Sequence, residues 1–173
     1  MPDYSSPTVK LHRQQSPESV ACAVITVSDT RTLETDRGGA MLVELLTGAG
    51  HEVIARQILP DDPQLLAAAV RQFSVDENID AILLTGGTGI SPRDQTPEAL
   101  AGVFTKELPG YGELLRVLSY EEIGPAAMLS RATGGLVDQT VVLTMPGSTA
   151  AVRLATEKLI LPELAHLVRE ATK

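Results

Sequence analysis

A continuous apolar, β-branched run, Val20 to Val27, opens the regular part of the chain. Such a run suits a parallel strand covered on both faces, because a solvated face would place a polar residue at every second position. After a polar stretch, Ser28 to Arg37, the period changes. Met41, Leu42, Leu45 and Leu46 recur at helical spacing within Gly38 to Thr47, and Gly48 and Gly50 punctuate the end of that helix. Val53 to Leu59 reads as a second strand. Asp62 and Pro63 read as the N-cap and first residue of a helix reaching Val75, with Leu65, Leu66, Ala69, Val70 and Phe73 as its inner stripe. Ile79 to Thr85 is the most apolar strand and the candidate for the sheet centre.

Thr96 and Pro97 read as the cap and start of a further helix predicted to reach Lys106. Gly112 to Glu122 is helical, with Leu114, Leu115 and Leu118 inward, and Pro125 to Arg131 is a short helix or turn. Thr140 to Thr144 is another strand, and Ala132 to Val137 pairs with it around Asp138 and Gln139. Two closing helices cover Thr149 to Leu161 and Pro162 to Ala171. Strands alternating with helices predict an α/β fold: a three-layer α/β/α domain with a mostly parallel sheet, over residues 20–173. Residues 1–19 hold three Pro and four Ser and lack any period. They are expected to form a flexible N-terminal tail.

Composition narrows the function. Among 173 residues, 14 Lys and Arg face 22 Asp and Glu, for a net charge of −8. No broad basic face is available for a nucleic-acid backbone, and at 3% aromatics there are few platforms on which bases could stack. The apolar runs are too short to span a bilayer. The N-terminal stretch has no apolar core and no small-residue cleavage site, and the single Cys22 cannot form an internal disulfide. The expectation is a cytoplasmic protein with no nucleic-acid or membrane partner.

Ligands of open parallel sheets bind beyond the carboxyl ends of the strands. Four polar loops follow the predicted strands: Ser28-Asp29-Thr30, Pro60-Asp61-Asp62, Gly86-Gly87-Thr88-Gly89, and Pro146-Gly147-Ser148. Successive glycines let backbone N–H groups form a nest for an anion, Thr88 adds a hydroxyl, and a following helix would add its own free N–H groups. The same loop also reads as a tight strand-to-helix turn. It is neither a Walker A loop, since no Lys-Ser/Thr pair follows, nor a dinucleotide fingerprint, since Pro92 stands at the third glycine position. Ser148 reads either as a helix cap or as a phosphate donor. Asp62 has a capping role, which leaves Asp29, Asp61 and Asp94 as loop acids. Carboxylates beside a phosphate cradle commonly share Mg²⁺ with the phosphates. The scattered His12, His51 and His166 offer no zinc set, and Cys22 reads as a small buried hydrophobe. Ser130, Arg131 and Arg153 read mostly as surface residues, although an Arg near a phosphate nest would be useful.

Seven segments, in order, resemble the MoaB/MogA family of molybdenum cofactor biosynthesis proteins. They are Thr26-Val27-Ser28-Asp29, Leu59-Pro60-Asp61, Leu84 to Gly89, Arg93 to Ala99, Pro109 to Glu113, Met128 to Arg131, and Met145 to Ser148. The loop Ser28 to Asp36 and the stretch Leu118 to Gly124 look like the MoaB branch. The resemblance spans nearly all of 20–170. It implies a molybdopterin-binding α/β domain that assembles as trimers or hexamers. Adenylyltransferase members of the family join molybdopterin to the adenylyl group of Mg-ATP and release pyrophosphate.

Carried over residue by residue, the resemblance makes Asp61 and Asp94 the catalytic and Mg²⁺-holding acids. Ser28, Asp29, Gly86, Gly87, Thr88, Gly89, Pro146, Gly147 and Ser148 become the residues that bind substrate and nucleotide. Two readings follow: an Mg-ATP-dependent molybdopterin adenylyltransferase, or a non-catalytic carrier of molybdopterin in the same pathway. The resemblance also points to the metal-insertion protein of that pathway as a partner. The negative net charge gives no long-range attraction for anionic substrates, so Arg31 and Arg93 are candidates for local attraction.

Overall fold

In chain order, the elements are strand β1 (Ala21–Val27), helix α1 (Arg37–Gly48), β2 (Glu52–Leu59), α2 (Pro63–Ser74), β3 (Ala81–Thr85), α3 (Thr96–Ala101), β4 (Lys106–Glu107), α4 (Pro109–Ile123), a 3₁₀ turn (Gly124–Leu129), β5 (Gly134–Val137), β6 (Thr140–Met145), α5 (Thr149–Ala155) and α6 (Leu161–Ala171). They are those of a computed structural model that describes residues 16–173, so most of the predicted N-terminal tail lies outside the described residues. The six strands form one sheet in the order β2-β1-β3-β6-β5-β4. β2, β1, β3 and β6 run parallel, while β5 is antiparallel to β6 and β4 to β5. Among the described residues no helix is long and apolar enough to cross a membrane.

Alternate residues of each central strand enter two separate cores, as strand geometry requires. Cys22 and Val24 of β1, Leu83 of β3 and Leu143 of β6 meet Leu42 and Leu46 of α1, Leu115 of α4, Val152 of α5 and Leu164 of α6. Ala23, Ile25, Ile82, Leu84 and Val142 face the other way, onto Leu66, Val70 and Phe73 of α2 and Leu100 of α3. The sheet is therefore a middle layer, which is why β1, β3 and β6 read as unbroken apolar runs. The chain leaves β1 toward the α1 face, returns through α2 on the opposite face, and leaves β3 toward α3 on that same opposite face. The two departures diverge, and a crevice opens at the carboxyl ends of β1 and β3, the switch point of an open α/β sheet.

Several predicted boundaries change. The helix expected over Thr96 to Lys106 ends at Ala101. Val103 is buried, and the chain then turns into the sheet through Thr105 N–H to Leu136 O (2.8 Å) and Leu108 N–H to Gly134 O (2.8 Å). Its apolar spacing continued past Ala101, but pairing with β5, some thirty residues on, takes the segment into β4. Thr96 is not a cap, because Gln95 holds the N-cap position without a side-chain bond and the Thr96 hydroxyl turns inward to Gly86 O at 3.1 Å. The predicted hairpin at Asp138-Gln139 is present, with Asp138 at φ 54° in its turn. The two closing helices are joined by a widened helical turn, Thr156–Ile160.

One buried acid fixes the near wall of the crevice. Asp36 caps α1 and is 3% exposed. Its Oδ1 accepts from Gly39 N–H (2.9 Å), and its Oδ2 accepts from the Thr26 hydroxyl (2.7 Å) and the Arg56 guanidinium (2.9 Å). It thus ties the end of β1, the start of α1 and the middle of β2. Burial alone would favour the neutral acid, but the donors from Thr26, Gly39 and Arg56 outweigh it and hold the carboxyl below its ordinary value of 3.8. A depressed folded-state value means that this stabilisation is present above the unfolded value and is lost as pH falls through the lower folded one. Asp36→Asn should be about 1–3 kcal/mol less stable at neutral pH. In urea unfolding, the gap between it and wild type should narrow as the pH is taken below 3.8.

A candidate anion-binding active site at the strand ends

The four predicted loops do assemble at the carboxyl edge. Ser28 N–H donates to Leu59 O (2.8 Å) and Gly86 N–H donates to Met145 O (3.0 Å), so the loops after β1, β2, β3 and β6 are pinned side by side. The Thr85 hydroxyl adds a bond to Pro146 O at 3.2 Å.

Within the glycine-rich loop, four successive carbonyls are all engaged. Gly86 O accepts from the Thr96 hydroxyl (3.1 Å) and Gly87 O from Thr96 N–H (3.0 Å). Thr88 O accepts from Arg131 N–H (2.8 Å) and Gly89 O from Arg131 Nε (2.6 Å). In a planar trans peptide, the N–H points opposite to the carbonyl it shares. The next N–H groups, those of Gly87, Thr88, Gly89 and Ile90, are therefore turned away from these partners, and among the described residues none makes a hydrogen bond. A row of unpaired backbone donors is the chemistry an anion needs. The helix that follows is only six residues long and its first N–H is already used. The donors are therefore those of the loop, and the helix contribution expected from the sequence is not supplied.

The two acids lie against this loop. Asp61 Oδ1 accepts from Gln95 N–H at 3.1 Å, and Asp94 Oδ2 accepts from Ser91 N–H at 2.9 Å. A methyl group placed on Gly87 would come within 2.7 Å of Asp61 Oδ2, and one on Gly89 within 2.7 Å of Asp94 Oδ2. Each acid keeps one carboxylate oxygen free of hydrogen bonds from the described residues. Burial raises the Asp61 carboxyl, and the charges of Asp94 and Asp29 raise it further. The Gln95 N–H and Arg93 work in the opposite sense, and the net direction is upward. A site that discourages negative charge on its own acid gains by a cation. Among the described residues no three His, Cys, Asp or Glu side chains are placed to hold a metal ion. Two carboxylates nevertheless suit Mg²⁺, which keeps several waters and takes its remaining oxygens from phosphates.

Other predicted residues have local work. The Ser28 hydroxyl accepts from Thr30 N–H (3.3 Å) and Arg31 N–H (3.2 Å), closing the first loop. Asp29 forms an ion pair with Arg93, so Arg93 is not the free cation expected from the sequence. Ser148 caps α5 by accepting from Ala151 N–H at 3.2 Å. Asp62 caps α2 as expected. Cys22 is buried, and burial with the nearby Asp80 pushes its thiol up to about 12, which leaves it protonated and inert.

Two cavities flank the Pro146-Gly147-Ser148 turn. The larger, about 790 Å³, lies toward β1 and α1 and is lined by Thr26, Ser28, Asp36, Thr85, Gly147 and Ser148 among others. The smaller, about 280 Å³, is walled by Gly87, Thr88, Gly89 and Asp94 on one side and by apolar residues such as Leu129 on the other. Sequence reasoning did not find Asp36, Thr96 or Arg131 as parts of this site. Asp36 carried a usable signal, an acid three residues before Gly39 at a helix start. Arg131 read as a surface residue, whereas it is built into the glycine-rich loop from 42 residues away.

Fold and site together define an α/β protein with a nest of backbone donors and two carboxylates at the open end of a parallel sheet. Comparison with known proteins gives the family. Residues 23–166 match the family model described as "Probable molybdopterin binding domain". The chain is 52% identical to molybdenum cofactor biosynthesis protein B of Bacillus subtilis, over 96% of this chain and 98% of that protein. A crystal structure of a molybdenum cofactor biosynthesis protein B superposes with a TM-score of 0.88 at 50% identity, covering 91% of this chain and 99% of that one. The tungsten cofactor synthesizing protein MoaB of Pyrococcus furiosus superposes with a TM-score of 0.81 at 35% identity, covering 91% and 100%. The chain belongs to the MoaB/MogA family of molybdenum cofactor biosynthesis proteins.

Gly87 has φ 63°, a left-handed conformation, and a side chain there would strike Thr96 Oγ1 as well as Asp61. Gly87→Ala should cost about 1–3 kcal/mol in chemical denaturation through strain. Calorimetric titration should show weaker binding of inorganic pyrophosphate than wild type, because the row of donors is displaced.

Proposed function

We propose that the chain is a molybdopterin adenylyltransferase acting in molybdenum cofactor biosynthesis. The observation that carries this reading is the pairing of Asp61 and Asp94, each with a free carboxylate oxygen, against a loop whose four N–H groups are unpaired. In the reaction, an oxygen of the molybdopterin phosphate attacks the α-phosphorus of ATP. A new phosphorus–oxygen bond forms, the bond to the bridging oxygen breaks, and pyrophosphate leaves with the electron pair.

The protein has little covalent work to do in such a transfer, and positioning and charge neutralisation dominate. The loop amides of Gly87, Thr88, Gly89 and Ile90 hold phosphate oxygens. Asp61 and Asp94 would hold Mg²⁺, whose charge would offset that of the triphosphate. The larger polar cavity beside Ser28 and Ser148 has room for one substrate's heterocycle, and the smaller, partly apolar one beside Thr88 and Leu129 for part of the other. The two cavities share Gly147 and Ser148 in their walls.

The expected quaternary state is a homo-oligomer, a trimer or hexamer. Val117 and Tyr120 of α4, with Met128 of the following turn, are between 59% and 77% exposed and form an apolar face with Pro125; Leu114, expected to point inward, is exposed as well. Monomeric proteins rarely leave such a face in water. Further copies of this chain are the proposed occupants, in a cytoplasmic protein whose product passes to the metal-insertion step.

Purified protein given Mg-ATP should release pyrophosphate only when molybdopterin is present. Asp61→Asn and Asp94→Asn should lose at least about 100-fold in rate while keeping the fold by circular dichroism. Molybdopterin binding with no release from wild type would instead assign the chain to carrying the pterin. The double variant Val117→Glu/Tyr120→Glu should sediment as a monomer where wild type sediments as a larger species.

A further inference from the structure

We propose that Arg131 is a positioning residue that sets the Gly89 and Ile90 half of the amide row and steadies the acid pair, and that it spends its whole guanidinium on the protein rather than on substrate. Its side chain leaves the segment between the 3₁₀ turn and β5 and divides three ways. Nε donates to Gly89 O (2.6 Å), one terminal nitrogen donates to Asp94 O (2.6 Å), and the other pairs with Glu98 of α3. Its backbone N–H takes Thr88 O at 2.8 Å.

Each bond fixes a peptide plane. Holding Thr88 O and Gly89 O turns the N–H groups of Gly89 and Ile90 away from Arg131. The hold on Asp94 O fixes the peptide between Asp94 and Gln95, and the N–H of that same peptide is the one that donates to Asp61 Oδ1 at 3.1 Å. One guanidinium therefore reaches Asp61 through a single rigid peptide while anchoring the backbone of Asp94. Glu98 fixes the remaining nitrogen, which keeps the fork from rotating.

A lysine carries the same charge but cannot span three separated acceptors with a planar fork. The Arg131 side chain is 34% exposed and bonds to loop carbonyls and Glu98 rather than to the sheet, so its loss should leave the packing of the sheet intact. Together these points separate a positioning role from a structural or a purely electrostatic one. As far as turnover is concerned, the inference rests on the adenylylation reading. The reading of the peptide planes does not.

The test uses full-length Arg131→Lys and Arg131→Ala beside wild type, in three measurements. Amide hydrogen exchange by NMR should show the Gln95 N–H losing protection at least about tenfold in both variants, with the amides of β3 unchanged, as expected for a local rather than a global opening. In the pyrophosphate-release assay, kcat should fall about 100-fold in both, with a smaller change in KM for ATP, since reacting groups are misplaced more than binding is lost. Added guanidinium ion at millimolar concentration should recover part of the lost rate in Arg131→Ala and none in Arg131→Lys, where the lysine stem fills the space.

A lysine variant with wild-type kcat and wild-type Gln95 protection would overturn the inference. So would a loss of rate with Gln95 protection unchanged, which would make Arg131 a substrate contact. If wild type itself releases no pyrophosphate, the adenylylation reading fails, and Gln95 exchange alone decides the role of Arg131.

Discussion

The rigidity of the peptide plane is the constraint on which this site rests. A loop that must offer N–H groups to an anion has to place the matching carbonyls somewhere, and burying them unpaired is costly. Here two residues, Thr96 and Arg131, accept that task for four consecutive peptides. Neither contributes a visible nucleophile or base. Both hold backbone in place, a form of preorganisation that suits the proposed transfer, in which charge rather than bonding would have to be managed.

Electrostatics explains why so much of the arrangement is local. The chain carries a net charge of −8, and Asp29, Asp61 and Asp94 face one another across the crevice. An anionic ligand meets this repulsion at close range. Two features offset it without a basic surface: backbone donors, which carry no formal charge, and the Asp29–Arg93 pair, which neutralises one of the three acids. Asp36 shows the same economy on the opposite wall, with its charge consumed by Thr26, Gly39 and Arg56 rather than offered to the cavity.

Much of this was legible in the residues themselves. β1 and β3 announce themselves by unbroken apolar runs, and Asp62 and Ser148 by their position before a helix, because those signals are local. The four strand-end loops followed from the rule that parallel sheets bind ligands at their carboxyl edge. What stayed hidden depends on distant partners. The end of α3 at Ala101 is decided by β5, whose ladder claims Lys106 and Glu107. The hydroxyl of Thr96 was read as a cap because helix starts favour it, and only the return of Gly86 beneath it redirects the bond. Arg131 looked like any surface arginine because its three acceptors lie between 33 and 42 residues earlier in the chain.

The two ends of the sheet differ in a way that bears on solubility. An exposed strand edge is a template on which another chain can add a strand, and long apolar edges lead to aggregation. β4 closes one side with only Lys106 and Glu107, both charged and exposed. β2 closes the other with Glu52, Arg56 and Gln57 interrupting its aliphatic residues. Neither margin presents a flat, apolar ladder, so open-ended growth of the sheet from molecule to molecule is blocked at both borders. Contact between copies is left to side chains on helices, where shape can limit the number of neighbours.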